Sequence, residues 1–181
     1  MSPSHDQSGG PTHRLIVLRH AKSAWPDGVP DEDRPLARRG RRDAPQAGAW
    51  LKKTDHVPDR VLCSPARRAR QTWDLAAEQL RKPPPVAIEP LLYATDEDTV
   101  IDVLRGVSDK VGTLLIVGHD PTLQKVIFRL AAVGNGGDDD ALDRIHAKFP
   151  TSAIAVLALP GRWTDLKAHV AALTEFVIPR G

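Results

Sequence analysis

Leu15-Ile16-Val17-Leu18-Arg19-His20 is a short apolar, β-branched run that stops abruptly at a cation and an imidazole. An apolar run of this length, without polar alternation, reads as a strand buried on both faces. Burial gives no reason for Arg19 and His20 at its end. In open α/β sheets, however, ligands bind in the crevice beyond the carboxyl ends of the strands. The design returns at Leu114-Leu115-Ile116-Val117, which runs into Gly118-His119-Asp120-Pro121. Two strands that each deliver a histidine to one sheet edge define a candidate active site.

Outward from these strands the chain alternates. Ala21 to Asp33 carries Trp25, Pro26, Gly28 and Pro30 and reads as a loop. A helix is expected from Leu36 to about Lys53, with Ala44, Ala47, Trp50 and Leu51 on its apolar stripe and a kink or break at Pro45. Arg60 to Cys63 is a second strand. Ser64-Pro65 then signals a capped helix to about Leu80, stopped before Pro83-Pro84-Pro85. Val86 to Glu89 reads as a strand, and Thr95-Asp96-Glu97-Asp98 resembles a capping box opening a helix to about Val107. Thr113 to Val117, a helix from Pro121 to about Ala132, a loop from Gly134 to Asp140, and strands at 153–159 and 168–173 complete the reading. Strands alternating with helices imply an α/β layered sheet.

At 181 residues, 41% hydrophobic and 27% charged, the chain fits one domain, expected over 14–181. Residues 1–13 are polar, lack the apolar centre of a signal peptide and read as a disordered leader. No stretch approaches the ~20 apolar residues of a membrane helix. The single Cys63 excludes an internal disulfide framework and points to the cytoplasm. Net charge is only +2, so composition does not mark a polyanion binder. The arginines are nevertheless clustered, at Arg34, Arg38, Arg39, Arg41 and Arg42 and again at Arg67, Arg68 and Arg70. Such clusters are either solvated helix faces or a positive approach to an anionic substrate.

Three constellations carry chemistry. Arg19-His20 follows a buried strand. Ser64-Pro65-Ala66-Arg67-Arg68-Ala69-Arg70-Gln71-Thr72 places Arg68 on the first turn of a helix leaving the same crevice. Ser64 reads as a cap rather than a nucleophile, since no hydrolase elbow surrounds it. Gly118-His119-Asp120-Pro121 is again a strand feeding a helix. Together they describe a pocket of two imidazoles and at least two guanidiniums, built for a phosphoryl group.

In these motifs and their order the chain resembles the histidine phosphatase superfamily over about Leu15 to Leu130. Arg34-Pro35-Leu36, Arg39-Gly40 and Val117-Gly118-His119-Asp120-Pro121 resemble its SixA-type phosphohistidine phosphatase branch, with Asp120 where asparagine is usual. The resemblance implies an α/β three-layer sandwich with a mostly parallel central sheet flanked by helices, as in the phosphoglycerate mutases. It also implies in-line attack by His20 and a phosphohistidine intermediate. Arg19, Arg68 and His119 are then the other catalytic residues, and Arg34, Ser64 and Gly118 the substrate-binding ones. No metal and no cofactor is required by this scheme, and Asp138-Asp139-Asp140 reads as an acidic loop rather than a ligand set. The Glu-Gly that supplies a general acid in other branches is missing, which leaves Glu89 and Asp96 as weaker candidates and tilts the expectation towards phosphohistidine protein or a small phosphomonoester.

Two rival classes remain at this stage. A catalytically silent phospho-ligand or phosphoprotein binding module would keep the arginines but need not keep His20, and the presence of both His20 and His119 argues against it. Nucleic-acid binding through Arg38 to Arg42 lacks interleaved aromatics for stacking. The expected partner is a phosphorylated protein or metabolite, with no membrane; the oligomeric state is left open.

Overall fold

The apolar run is the centre of the molecule because both of its faces are covered. In the computed structural model, which describes residues 12–134 and 136–181, His13–Arg19 forms β1 and Thr113–Gly118 forms β4, paired in parallel. Successive side chains of a strand point to opposite faces. Leu15, Val17, Leu114 and Ile116 accordingly join one core, and Ile16, Leu18, Leu115 and Val117 join the other. None of these eight residues is exposed to solvent.

Among the described residues the sheet has six strands in the order β3-β2-β4-β1-β5-β6, with β2 at Arg60–Cys63, β3 at Val86–Ile88, β5 at Ile154–Leu159 and β6 at Ala172–Val177. β3, β2, β4 and β1 run parallel, whereas β5 is antiparallel to both of its neighbours. Helices α1 (Arg38–Lys53) and α2 (Arg67–Ala77) pack on one face, while α3 (Glu97–Arg105), α4 (Thr122–Leu130) and α5 (Asp139–Ala147) pack on the other. This is the three-layer arrangement expected. Among the described residues, no helix is long and apolar enough to cross a membrane.

Several local expectations need correction. The leader lies outside the described residues as far as position 11. His13 belongs to β1, held by a ring contact with Trp163 and hydrogen bonds to the carbonyls of Gly161 and Asp109. α1 runs unbroken through Pro45, because Ala44, Ala47, Gly48 and Leu51 are buried along the face that meets α2. The cap of α3 is Asp96, which accepts from the Thr99 amide, rather than Thr95. Asp138-Asp139-Asp140 is not a loop: Asp138 caps α5 by accepting from the Ala141 amide, and the other two fill its first turn. The last strand begins at Ala172 because the preceding residues are tied to α4, with the Ala171 amide donating to Leu130 and the Ala132 amide to Ala171.

Two glycines permit close backbone approach. A Cβ on Gly48 would lie 1.9 Å from the Ala76 carbonyl oxygen of α2, and one on Gly40 would lie 2.1 Å from that of Lys22. Backbone cannot yield as a flexible side chain does. Gly48→Ala is therefore expected to destabilise the fold by about 1–3 kcal/mol through forced separation of α1 and α2. The midpoint of urea unfolding reads this directly, and an unchanged midpoint would contradict the packing described.

Candidate active site

Register explains why residues far apart in sequence meet. Arg19 pairs with Gly118 across β1 and β4, so His20 and His119 leave adjacent strands at the same level. Cys63 pairs with Val117, which brings Ser64 to the other side of His119. The His20 amide donates to the Gly118 carbonyl, and the Ser64 amide to that of Val117. The two imidazole rings lie 5.1 Å apart, centroid to centroid.

His20 is 8% exposed. Its Nδ1 lies 2.7 Å from the Ala21 carbonyl oxygen, so Nδ1–H donates there and Nε2 keeps its lone pair. Ala21 is fixed in turn: its amide donates to Thr72 Oγ1, and that hydroxyl donates to the Arg68 carbonyl. Thr72 thus ties the second motif to the first. Burial is the main reason the His20 pKa falls from 6.5 to about 3; His119, Arg68 and Arg19 push the same way, against the Ala21 hydrogen bond.

His119 is lowered to about 4, by burial first and then by Arg68 and Arg19, with Asp31 opposing. Its Nε2 lies 2.7 Å from Ser64 Oγ, and that oxygen also accepts from the Ala66 amide. With the serine proton donated to Nε2, the ring's own proton resides on Nδ1. That atom is buried and has no hydrogen-bond partner among the described residues. A donor so placed is available to an anionic ligand. Arg19 Nε is a second buried donor without a partner among the described residues.

Arg19, His20, Arg34, Arg68 and His119 line one cleft of about 270 Å³, so the structure brings five of the seven expected residues together. Ser64 and Gly118 stand behind its wall instead. Ser64 is fully buried and its hydroxyl meets His119; α2 begins only at Arg67, so Ser64 is not the helix cap either. Gly118 offers its carbonyl to the His20 amide, and a Cβ there would press on the Leu123 side chain at 3.3 Å. Arg34 reaches the cleft with every nitrogen engaged, by the Ala24 carbonyl, Asp31 Oδ1 and Ser23 Oγ. Its guanidinium also stacks 3.1 Å above the Trp25 ring.

Asp120 holds a neighbouring cation: its Oδ2 lies 3.1 Å from Arg19 NH1, which also donates to the Phe149 carbonyl. Burial raises the Asp120 pKa against the pull of Arg19. Glu89 accepts from the Leu91 amide and lines a separate cleft, away from the histidines. Asp96 lines a cleft beside His119, but the Thr99 amide it caps lowers its pKa and favours the ionised form.

One charged residue was not foreseen. Asp31 opens a short 3₁₀ turn, Asp31–Asp33, and its carboxylate joins three groups of the site. Oδ1 accepts from Arg34 NH1 at 2.8 Å, and Oδ2 accepts from Arg68 NH2 at 3.0 Å and from the Tyr93 hydroxyl at 2.8 Å. The Arg34 hydrogen bond leads in holding this carboxyl well below the usual range, followed by Tyr93 and Arg68, with burial opposing. The available signal was the i, i+3 spacing of Asp31 and Arg34, masked by Glu32 and Asp33 between them.

Comparison with known proteins identifies the family. The description "histidine phosphatase superfamily (branch 1)" matches residues 15–94. An uncharacterized protein of Mycobacterium tuberculosis is 48% identical over 163 residues, covering 90% of this chain and all of that one. A solved chain from Nakamurella multipartitia, assigned as the phosphohistidine phosphatase SixA, superposes with a TM-score of 0.80. It is 31% identical, over 93% of this chain and 96% of its own. The chain belongs to the histidine phosphatase superfamily. Within it, the phosphohistidine phosphatase SixA of Escherichia coli is 28% identical, over 81% of this chain and 85% of that one. In this superfamily member the two imidazoles and the Arg19 and Arg68 guanidiniums form one cluster at the carboxyl ends of β1, β4 and β2.

Proposed function

We propose that the protein is a phosphohydrolase in which His20 carries the phosphoryl group. The observation that supports this best is the state of His20: buried, neutral near pH 7, with Nδ1–H committed to Ala21 and Nε2 unencumbered. Nε2 attacks phosphorus in line, the bond to the leaving group breaks, and its electron pair departs with that group. The Nδ1–H bond to Ala21 supports the cationic ring that results. Water then attacks phosphorus, the electron pair returns to Nε2, and both water protons leave on dihydrogen phosphate.

Arg19, Arg68 and the Nδ1–H of His119 would hold the equatorial oxygens. In phosphoryl transfer such positioning and charge stabilisation supply most of the catalysis. The expected substrate is a phosphohistidine protein or a small phosphomonoester, a reading supported by the named activity of the Escherichia coli relative. Guanidiniums supply the positive charge, and among the described residues no group of three or more His, Cys, Asp or Glu is placed to hold a metal ion.

Two measurements test the reading. Hydrolysis of p-nitrophenyl phosphate or a phosphohistidine peptide is expected to proceed at an undiminished rate in excess chelator; loss of activity restored by a divalent cation would refute the metal-free scheme. The pH profile is the second. Neutral His20 is the active form, and a lowered pKa keeps it neutral to more acidic pH. With the substrate's own phosphate ionisation divided out, the acid limb of kcat/KM belongs near pH 3–4. A limb near 6.5 would show a histidine exposed to solvent.

A further inference from the structure

Two clefts adjoin at Arg68, His119 and Asp120, and they differ in charge. The one holding His20 is lined by Arg19, Lys22, Arg34 and Arg68 with the single carboxylate of Asp120. The other, of about 370 Å³, is lined by Asp31, Asp96 and Asp120 against Arg68 and Lys125. In-line displacement puts the leaving group on the side of phosphorus opposite the nucleophile. The carboxylate-rich cleft shares Arg68, His119 and Asp120 with the cleft that holds His20, and so is the adjoining space open to a leaving group.

We propose that Asp31 is a specificity-determining residue that selects a substrate whose phosphorylated ring is positively charged, by accepting a hydrogen bond from the second ring N–H. This rests on the phosphohydrolase reading above. A carboxylate has about four acceptor positions, and three are filled, by Arg34, Arg68 and Tyr93. The remaining one is on Oδ1, on a side chain that is 49% exposed. Of the cleft's other carboxylates, Asp96 caps α3 through Oδ1 and Asp120 gives Oδ2 to Arg19, whereas Asp31 is the one whose carboxylate is hydrogen-bonded to Arg68, the guanidinium that lines both clefts.

The chemistry that fits is a phosphoimidazole protonated on its second ring nitrogen. When the P–N bond breaks, the electron pair stays on nitrogen and the ring leaves as neutral imidazole, with its other N–H intact. No general acid is consumed. An ionised Asp31 cannot act as an acid, but it holds the ring proton and so favours the form that departs readily.

The test compares kcat/KM for a phosphohistidine peptide with that for p-nitrophenyl phosphate, whose leaving group is an anion, in wild type and Asp31→Asn. The ratio is expected to fall about tenfold in the variant, the scale of one hydrogen bond to a charged group. Equal losses on both substrates would show that Asp31 merely positions Arg68, and would overturn the proposal. A second measurement needs no turnover. In an NMR titration of the wild type, imidazole at pH 6 is expected to bind about tenfold more tightly than uncharged pyrazole, and equal affinities would overturn the proposal. Failure of the wild type to hydrolyse either substrate would instead refute the phosphohydrolase reading, with the same titration repeated on Asp31→Asn, where the preference for imidazole is expected to vanish, still judging Asp31.

Discussion

His20→Ala is expected to lower turnover of p-nitrophenyl phosphate by about 10⁴-fold or more, the scale on which loss of a covalent nucleophile acts. The same substitution should leave a folded protein that resists acid better than the wild type. The sign follows from linkage. His20 titrates near 6.5 when unfolded and near 3 when folded, so below pH 6.5 the unfolded chain binds the extra proton. Stability is therefore fully present above 6.5 and is lost as pH falls towards 3. That 3.5-unit gap corresponds to about 4–5 kcal/mol at most, an order-of-magnitude figure. Alanine removes this dependence, so the pH of half-unfolding shifts downwards. Rapid-quench trapping of an acid-labile, base-stable phosphoenzyme in the wild type, absent from the variant, would identify the bond formed. Wild-type rates in His20→Ala would eliminate His20 as the nucleophile.

The parts of this site that were legible in the sequence share one cause. Leu15 to Leu18 and Leu114 to Val117 are apolar without alternation because both sheet faces are covered, and that alone locates the strand ends. A residue at the end of a buried strand has its position fixed by the register, so Arg19, His20 and His119 could be placed without coordinates. Side-chain partnerships were less accessible. Ser64 looks like a cap, and only the pairing of Cys63 with Val117 shows that its hydroxyl meets His119 instead. Asp31 lies in a breaker-rich loop where spacing has no regular period. Its meeting with Arg68 and Tyr93 depends on the fold of residues 21–37, pinned by hydrogen bonds from Ala24 to Pro35 and from Ala37 to Lys22. α5 was missed for a related reason: three consecutive aspartates resemble a solvated run, yet the first caps a helix and the other two sit at its electropositive start.

Arg68→Lys should reduce kcat/KM by about 10²–10³-fold, the cost of removing one charged or hydrogen-bonding clamp from a developing oxyanion. Charge is conserved in this substitution, so the loss tests geometry. Arg68 is 6% exposed and places NH1 2.6 Å from the Asp31 carbonyl oxygen and NH2 3.0 Å from its carboxylate. A planar fork held at both tips keeps its remaining N–H groups in a fixed plane for phosphate oxygens. A lysine ammonium is a single point that cannot span both anchors and still present a bidentate edge. Arg68→Ala adds an electrostatic consequence, because Arg68 helps to lower the pKa of both His20 and His119. Without it both histidines titrate at higher pH, and the acid limb of kcat/KM moves up towards neutrality. Lysine, which retains the charge, should move that limb less while losing nearly as much rate. Arg70, whose Nε donates to the Pro65 carbonyl and which lines neither cleft, supplies the control, since Arg70→Lys should match the wild type. If Arg68→Lys also matched it, phosphate recognition would rest on charge alone, and the fork described here would have no role in the reaction.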